Sequence, residues 1–572
     1  MEGLRVKLKD TIKNIYNLDF DPELTPSPSN IDADYSSNAP LKLAKDLHKS
    51  PLDIANELNQ ELNAEISAPG FLNFTLSDEY YYEQIESLSQ DFKNNIGSDE
   101  YSGKTVICEF SDPNPFKVLH VGHLYTSVVG DSISRLFEYA GAKVIRANFG
   151  GDVGLHVAKT MYVLQQKPID ELNIEDIAKC YVEGTALYDD DETARAEITK
   201  LNKKIYQINQ NDEHGNELAD LYWRGRELSY AYFNNFYATI GVKFDKYYPE
   251  STVAALGLAK VKEELEKGVY ELSDGAVIFN GDKFGLHTRV FINKEGVPTY
   301  EAKDVGLIFT KWQDYHFDKS VVITGNEQLD YMKVVLKSIE QYAPDLVEKT
   351  SHLTHGLVKL PGNVKMSSRK GNFLKAVDVI DIINKELKEE YDSADPKISL
   401  AATKYAFLKY KMGGNIIFDP KESVKMTGNS GPYLLYSAVR AKKVLQKVMA
   451  VSAQAEGRET VSREGHDPSE VSETRDGGIE RTGSRELQPS ERALIKKILE
   501  YKEILKEAVS EMAPHKVASY LYELAQEFSR FYENCPVAGS AREKERAKLV
   551  QVYLNTITHG LSILGIEIPE EM

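Results

Sequence analysis

Apolar residues Val129, Ile133, Leu136, Phe137 and Ala140 recur at i, i+4, i+7, i+8 and i+11. That spacing predicts one buried face of an α-helix, with Gly141 as its stop. Short apolar runs lie on either side, Val106-Ile-Cys-Glu-Phe110 before it and Lys143-Val-Ile-Arg-Ala-Asn-Phe149 after it. Both read as strands. Strand, helix, strand is a βαβ unit, which implies a parallel sheet with a right-handed crossover. Ligands on such sheets bind at the carboxyl ends of the strands. The turn His120-Val-Gly-His123, between the first strand and the helix, lies at that end.

The same reading organises the rest of the chain. Leu4, Leu8, Ile12 and Ile15 form a helical stripe in residues 1–17. A Pro/Ser/Asn-rich turn at 25–40 precedes two helical stretches, and Phe71-Leu-Asn-Phe-Thr-Leu76, introduced by Pro69-Gly70, reads as a strand. Residues 165–235 are charged and helical, an insertion. Strands near 290–300 and at Ser320-Val-Val-Ile-Thr324 are expected to return to the sheet. From about 395 the pattern is wholly helical, over 398–412, 430–450, 490–535 and 540–564. Residues 452–489 hold almost no large apolar side chain. Such a stretch cannot offset its ordering entropy, and a disordered loop is expected there. The expected fold is an α/β Rossmann-like catalytic domain on a parallel sheet at 96–395. An N-terminal α+β domain at 1–95 and a C-terminal all-α helical bundle at 396–572 flank it.

Composition narrows the class. The 572 residues are 42% hydrophobic and 27% charged, ordinary for a globular chain. No run of 18 apolar residues and no signal-peptide pattern is present, so a cytoplasmic protein without a membrane partner is expected. Cys108, Cys180 and Cys535 are odd in number and far apart. They exclude a disulfide framework and disfavour a cysteine zinc site, so no structural metal is expected. The net charge of −19 argues against broad nucleic-acid binding. It leaves room for a local site, because binding follows the local field. Residues 440–447 hold four cations and no acid.

Two motifs carry chemistry. His120-Val-Gly-His123 places two imidazoles at a helix N-terminus, which favours anionic phosphate. Gly122 lets a nucleotide approach the backbone, and the imidazoles can donate to an oxyanion that gains charge. Lys365-Met-Ser-Ser-Arg369-Lys370-Gly371 is a loop with Gly362 and Gly371 as hinges, whose cations can clamp a leaving pyrophosphate. Each alone also fits a bland reading, a helix start or a solvated basic loop. Together, in this order, they point to an enzyme acting at the α-phosphate of ATP.

These motifs resemble those of class I aminoacyl-tRNA synthetases, and the chain is similar nearly end to end to the arginyl-tRNA synthetase family. The likeness rests on Glu109-Phe-Ser-Asp-Pro-Asn114-Pro-Phe-Lys117-Val-Leu-His120-Val-Gly-His123 and Asn148-Phe-Gly-Gly-Asp152-Val-Gly154. It rests further on Tyr300-Glu-Ala-Lys-Asp304, Gly428-Asn-Ser-Gly-Pro-Tyr433-Leu-Leu-Tyr436 and the ending Gly560 to Met572. The resemblance implies that His120, Gly122 and His123 contact ATP, and that Lys365, Met366, Ser367 and Ser368 hold its phosphates. It places Asn114 on the amino acid near its carboxylate. Tyr300 and Asp304 would read the guanidinium, with Glu109, Glu250 and Gln328 also in that pocket.

Ser368 stands where class I enzymes commonly carry a second lysine. Lys117 would substitute, with Arg369 and Lys370 as alternatives. Tyr433, Tyr436, Phe528, Tyr532 and Met572 would contact tRNA, although the aromatics are equally read as core residues of a helical bundle. The implied substrates are L-arginine, ATP with Mg2+ and tRNA(Arg), and the implied state is a monomer that needs tRNA for the first step. Elementary chemistry agrees: carboxylates match a guanidinium bidentately, and Asp304 follows Tyr300 by one helical turn. Other class I synthetases are disfavoured by the absence of an editing insertion and of cysteine clusters. A silent tRNA-binding paralogue is disfavoured by the intact motifs, and a small-molecule adenylyltransferase by the flanking domains.

Overall fold

The computed structural model describes residues 2–28, 31, 33–167, 172–361, 374–392, 395–463 and 486–572. The chain divides into two compact units, Met1–Asp91 with Ser469–Ile495, and Phe92–Pro468 with Lys496–Met572.

In the first unit a four-stranded antiparallel sheet has the order Thr25–Pro26, Tyr35–Ser37, Phe71–Phe74, Glu65–Ser67. Leu8 and Ile12 of the helix Glu2–Tyr16 pack with Leu43, Ile54, Leu58, Leu72 and Phe74. Ile15 is exposed instead of completing the expected stripe. The 25–40 stretch, expected to be a turn, contributes two of the strands. They are two and three residues long, too short to show an alternating pattern. Arg492 belongs here: its guanidinium donates to Asp34 Oδ2 and to the Leu76 carbonyl, each at 2.6 Å.

The second unit is built on the expected βαβ core. Its five strands are β1 (Thr105–Glu109), β2 (Lys143–Gly150), β3 (Lys246–Pro249), β4 (Lys319–Gly325) and β5 (Thr350–His355). All pair in parallel in the order β5-β4-β1-β2-β3. Val106, Ile107 and Cys108 are fully buried, as a sheet covered on both faces demands. The chain leaves β1 towards β2 on one side and returns as β4 on the other. The crevice outside the carboxyl ends of β1 and β4 is therefore the switch point where such folds bind ligands.

Helix α1 (Val121–Tyr139) crosses from β1 to β2. Gly141 ends it at φ +89°, with Gly141 N–H donating to Glu138 O and Ala142 N–H to Phe137 O, both at 3.0 Å. These are the paired bonds of a glycine helix stop. Helices α2 (Leu155–Leu164), α3 (Ile174–Asp190), α4 (Glu192–Asn211) and α5 (Glu217–Thr239) follow β2, and α2 to α4 supply much of a core of their own. Two further helices flank the switch point, α6 (Glu250–Glu266) and α7 (Tyr300–Tyr315).

Arg289–Ile292 does not return to the parallel sheet as expected. It pairs antiparallel with Ala276–Phe279, which pairs with Glu271–Ser273. Asp274 and Gly275, both at positive φ, close that first hairpin in two residues, a Asp-Gly turn that selects antiparallel pairing.

The last helices of the unit include Pro396–Leu408, Gly431–Arg463, Pro514–Asn534 and Glu543–Ile563. Leu434, Leu521, Phe528 and Tyr553 are fully buried among them. Ser132 on α1 donates to the Ile563 carbonyl at 2.9 Å, so α1 also supports the C-terminal helix. The expected disordered loop at 452–489 is corrected at its start, because the helix from Gly431 continues to Arg463. Residues 464–485 lie outside the described residues.

Candidate active site

The first half of the site is the histidine turn. His120 Nδ1 accepts the Gly122 N–H at 3.1 Å, and His123 Nδ1 accepts the His120 N–H at 3.1 Å. The rings stack with centroids 3.8 Å apart. Because both Nδ1 atoms accept, the proton of each neutral ring sits on Nε2. Burial, then the Lys117 charge, lowers the His120 pKa to about 4. Burial, then His120, pushes His123 well down. Both rings are neutral hydrogen-bond donors near pH 7. A Cβ on Gly122 would stand 2.9 Å from the His120 ring, so this glycine first of all makes room for that ring.

A cavity of about 550 Å³ opens beside the turn, lined by Asn114, Lys117, His120, His123, Tyr181 and Lys375 among others. Lys117 Nζ lies 4.6 Å from the centre of the Tyr181 ring. Lys365, Met366, Ser367, Ser368, Arg369 and Lys370, with Gly362 and Gly371, lie outside the described residues. The chain that follows them is fixed: Val121 N–H donates to Leu374 O at 2.9 Å and Ala376 N–H to Leu119 O at 3.0 Å. These bonds stitch residues 374–376 to the histidine turn.

The second half of the site gathers acids at the strand ends. Glu109 ends β1, Glu250 opens α6 after β3, and Asp304 lies one turn into α7. All three are buried. Lys311 Nζ meets Glu109 Oε2 at 2.7 Å and Ser320 Oγ at 3.1 Å. Lys303 Nζ meets Glu250 Oε2 at 2.6 Å. The Tyr331 hydroxyl donates to Asp304. Burial raises the Asp304 carboxyl to about 8, opposed by that hydroxyl and reinforced by Glu109 and Glu250. Glu250 is also raised by burial, opposed by Lys303. Two of the three acids are therefore balanced by lysines of α7, and the third is held close to neutral.

Asn114 Oδ1 accepts the Gly151 N–H at 2.8 Å, which sets the side chain against the end of β2. Tyr300 is 52% exposed at the start of α7, with Lys303 Nζ 5.0 Å from its ring centre. Gln328 is exposed in the short turn Asn326–Gln328 that follows β4. The structure thus brings Asn114 and Glu250 together against Gly151, with Lys303 on Glu250. Glu109 and Tyr331 meet α7 through Lys311 and Asp304, and no hydrogen bond joins Gln328 to them among the described residues. Tyr331, Lys303 and Lys311 were not expected from sequence. The lysines had a signal: both share a helix with Asp304, at positions where a solvated charge would not be buried.

Of the aromatics expected to meet tRNA, Phe528 is corrected. It is 0% exposed and stacked on Tyr553 at 3.9 Å, a core aromatic that no base can reach. Tyr433 is partly buried, edge-on to Tyr522. Tyr436 and Tyr532 are 36% and 41% exposed, and the Arg440 guanidinium lies 4.9 Å and 4.5 Å from their ring centres. Met572 is partly buried. Among the described residues no group of three or more His, Cys, Asp or Glu is placed to hold a metal ion, and no helix is long and apolar enough to cross a membrane.

Residues 85–419 match the family model for tRNA synthetases class I (R), catalytic domain. The chain belongs to the arginyl-tRNA synthetase family. Residues 2–76 match the arginyl-tRNA synthetase N-terminal domain, and 434–572 the DALR anticodon binding domain. The arginine–tRNA ligase of Thermobifida fusca is 29% identical over 97% of this chain and 96% of its own length. That of Bacteroides fragilis is 27% identical over 93% and 92%. The arginyl-tRNA synthetase of Thermus thermophilus has the same fold, with TM-score 0.75, 22% identity and full coverage of both chains. That of Plasmodium falciparum gives 0.76 at 20% identity, covering 100% and 99%. In this synthetase the histidine turn and the acids of α6 and α7 fall within the region matched to the catalytic domain.

Proposed function

We propose that the enzyme joins L-arginine to tRNA(Arg) in two steps at the carboxyl edge of the sheet. The arginine carboxylate attacks the α-phosphate of ATP, which enters with Mg2+, and forms arginyl-adenylate as pyrophosphate leaves. The 2′-hydroxyl of the terminal adenosine of tRNA then attacks the adenylate carbonyl, and AMP leaves. The observation that carries this reading is the meeting, at one switch point, of two neutral imidazoles with buried acids on β1, α6 and α7.

The imidazoles supply N–H groups to phosphate oxygens as charge moves onto the leaving pyrophosphate. Lys117, beside the turn, supplies charge where Ser368 replaces a lysine, and Lys365 would meet the pyrophosphate. Asn114 holds the amino acid near its reacting carboxylate. Asp304, Glu250 and Glu109 face the guanidinium end, with Tyr300 covering it and Gln328 at the rim. A guanidinium carries five donors and no acceptor, so it suits a pocket richer in acids than its own lysines can balance. An apolar competitor would leave these acids unmatched at a large penalty, and no editing site is needed.

Tyr436 and Tyr532, with Arg440 between them, offer stacking faces to unpaired bases of the tRNA, and Tyr433 and Met572 of the same C-terminal module would add further contacts. The enzyme acts as a cytoplasmic monomer and requires bound tRNA for the first step. ATP–pyrophosphate exchange, run with each amino acid with and without tRNA(Arg), tests this reading. Exchange is expected with arginine alone and only in the presence of tRNA. Exchange with lysine or leucine would refute the substrate, and none under any condition would mark a silent paralogue.

A further inference from the structure

His156 lies in the first turn of α2 and is 7% exposed. Its Nε2 sits 2.7 Å from the Gly151 carbonyl oxygen. A carbonyl only accepts, so Nε2 carries the proton and Nδ1 is a bare acceptor. Burial and the nearby Lys117 charge lower the ring's pKa well below the usual histidine value, which keeps that lone pair open. Nδ1 is buried and has no hydrogen-bond partner among the described residues. A buried acceptor left unmatched is costly, and such groups mark places where a ligand completes the bonding.

The surroundings identify the ligand. A Cβ on Gly151 would stand 2.7 Å from Asn114 Oδ1, 3.0 Å from Glu250 Oε1 and 3.1 Å from His156 Cε1. A Cβ on Gly154, at φ +121°, would stand 3.6 Å from His156 Nδ1 and 3.9 Å from the Tyr206 hydroxyl. Lacking side chains, the two glycines let Asn114, Glu250 and the Cε1–Nδ1 edge of His156 come together against the backbone of residues 151–154. Asn114 and Glu250 are the residues proposed above to meet the amino acid.

We infer that His156 is an amino-acid-binding residue whose Nδ1 accepts an N–H of bound arginine. The inference rests on the arginine reading given above. Both the guanidinium and the α-ammonium of arginine are N–H donors without lone pairs, so either satisfies the acceptor. Lysine and citrulline share the α-ammonium, so only a bond to the guanidinium would discriminate against them.

The two ring nitrogens can be tested separately. His156→Asn places an acceptor near the Nδ1 position and gives up the Gly151 bond. His156→Gln keeps a donor near the Nε2 position and gives up the Nδ1 acceptor. Arginine KM in tRNA-dependent pyrophosphate exchange is expected to rise about ten- to hundredfold in His156→Gln, as for loss of one hydrogen bond to a charged group. His156→Asn is expected to stay about tenfold closer to wild type, with ATP KM and the single-turnover transfer rate little changed in both.

The opposite order, with Gln restoring arginine KM and Asn failing, would overturn the inference, because only the Gly151 bond would then matter. Unchanged arginine KM in both would overturn it too, and so would a loss confined to the transfer step. If exchange is too weak to follow, binding of labelled arginine to folded variant by equilibrium dialysis is read in the same way. The inhibition constant of 5-guanidinopentanoate, which lacks the α-ammonium, separates the two donors. A parallel loss in His156→Gln assigns the bond to the guanidinium, and no loss assigns it to the ammonium. Wild-type enzyme that exchanges with another amino acid instead of arginine would defeat the underlying reading and not this residue alone.

Discussion

The histidine turn and the acidic pocket lie at the same edge of one sheet, yet they solve opposite problems. At the turn, two imidazoles are kept uncharged, and the backbone N–H groups of residues 120 and 122 fix which nitrogen carries the proton. All of its parts lie within four consecutive residues. In the pocket, acids are kept buried, two of them paired with Lys303 and Lys311 of α7 and the third bonded by Tyr331. A donor to phosphate needs only a local fold. A reader of a guanidinium needs a field assembled from several segments, and each acid must survive burial before the substrate arrives.

The contrast is broken most severely through Lys311. Lys311→Met leaves Glu109 buried without its cation, and the expected loss is about 3–5 kcal/mol of stability by urea unfolding. Adding Glu109→Gln should recover much of that loss. His120→Asn, by comparison, should change stability far less. Next comes His120→Ala, which removes one positioned donor. The rate of arginine-dependent exchange should fall about 10²–10³-fold while arginine KM moves little.

Acid sharpens the comparison further. The folded pKa of His120 is about 4, below the ordinary value. Below about pH 6.5 the unfolded chain takes up protons that the folded ring refuses. Stability is therefore intact above pH 6.5 and is lost as pH falls towards 4, by about 3 kcal/mol from this ring. Unfolding of wild type and His120→Asn at pH 7 and pH 4.5 would show it as a smaller acid loss in the variant. The smallest effect is expected at the tRNA surface. Tyr532→Ala should raise tRNA KM about tenfold, within the range for one stacked base, and leave arginine KM unchanged.

The same contrast explains what was legible in the sequence. The turn, its helix and the glycine stop at Gly141 are contiguous, so periodicity and spacing sufficed. Glu109, Asn114 and Asp304 were reached through their resemblance to a family, not through chemistry visible along the chain. Tyr331 and His156 had no local signal, because their roles depend on which segments meet at the sheet edge. Phe528 was misplaced because a core aromatic and a base platform look alike in a helical pattern, and only burial separates them. The Asp274–Gly275 turn carried a readable hairpin signal, and strand propensity near 290 masked it.

The central claim is that buried acid on α7 selects arginine, and Asp304→Asn tests it most directly. Arginine titration of tRNA-dependent pyrophosphate exchange is the measurement. The account predicts a rise in arginine KM of about 100-fold or more, with ATP KM nearly unchanged, as for a buried charged bond lost to a cation. An arginine KM within about threefold of wild type, in a variant that folds normally, would contradict it.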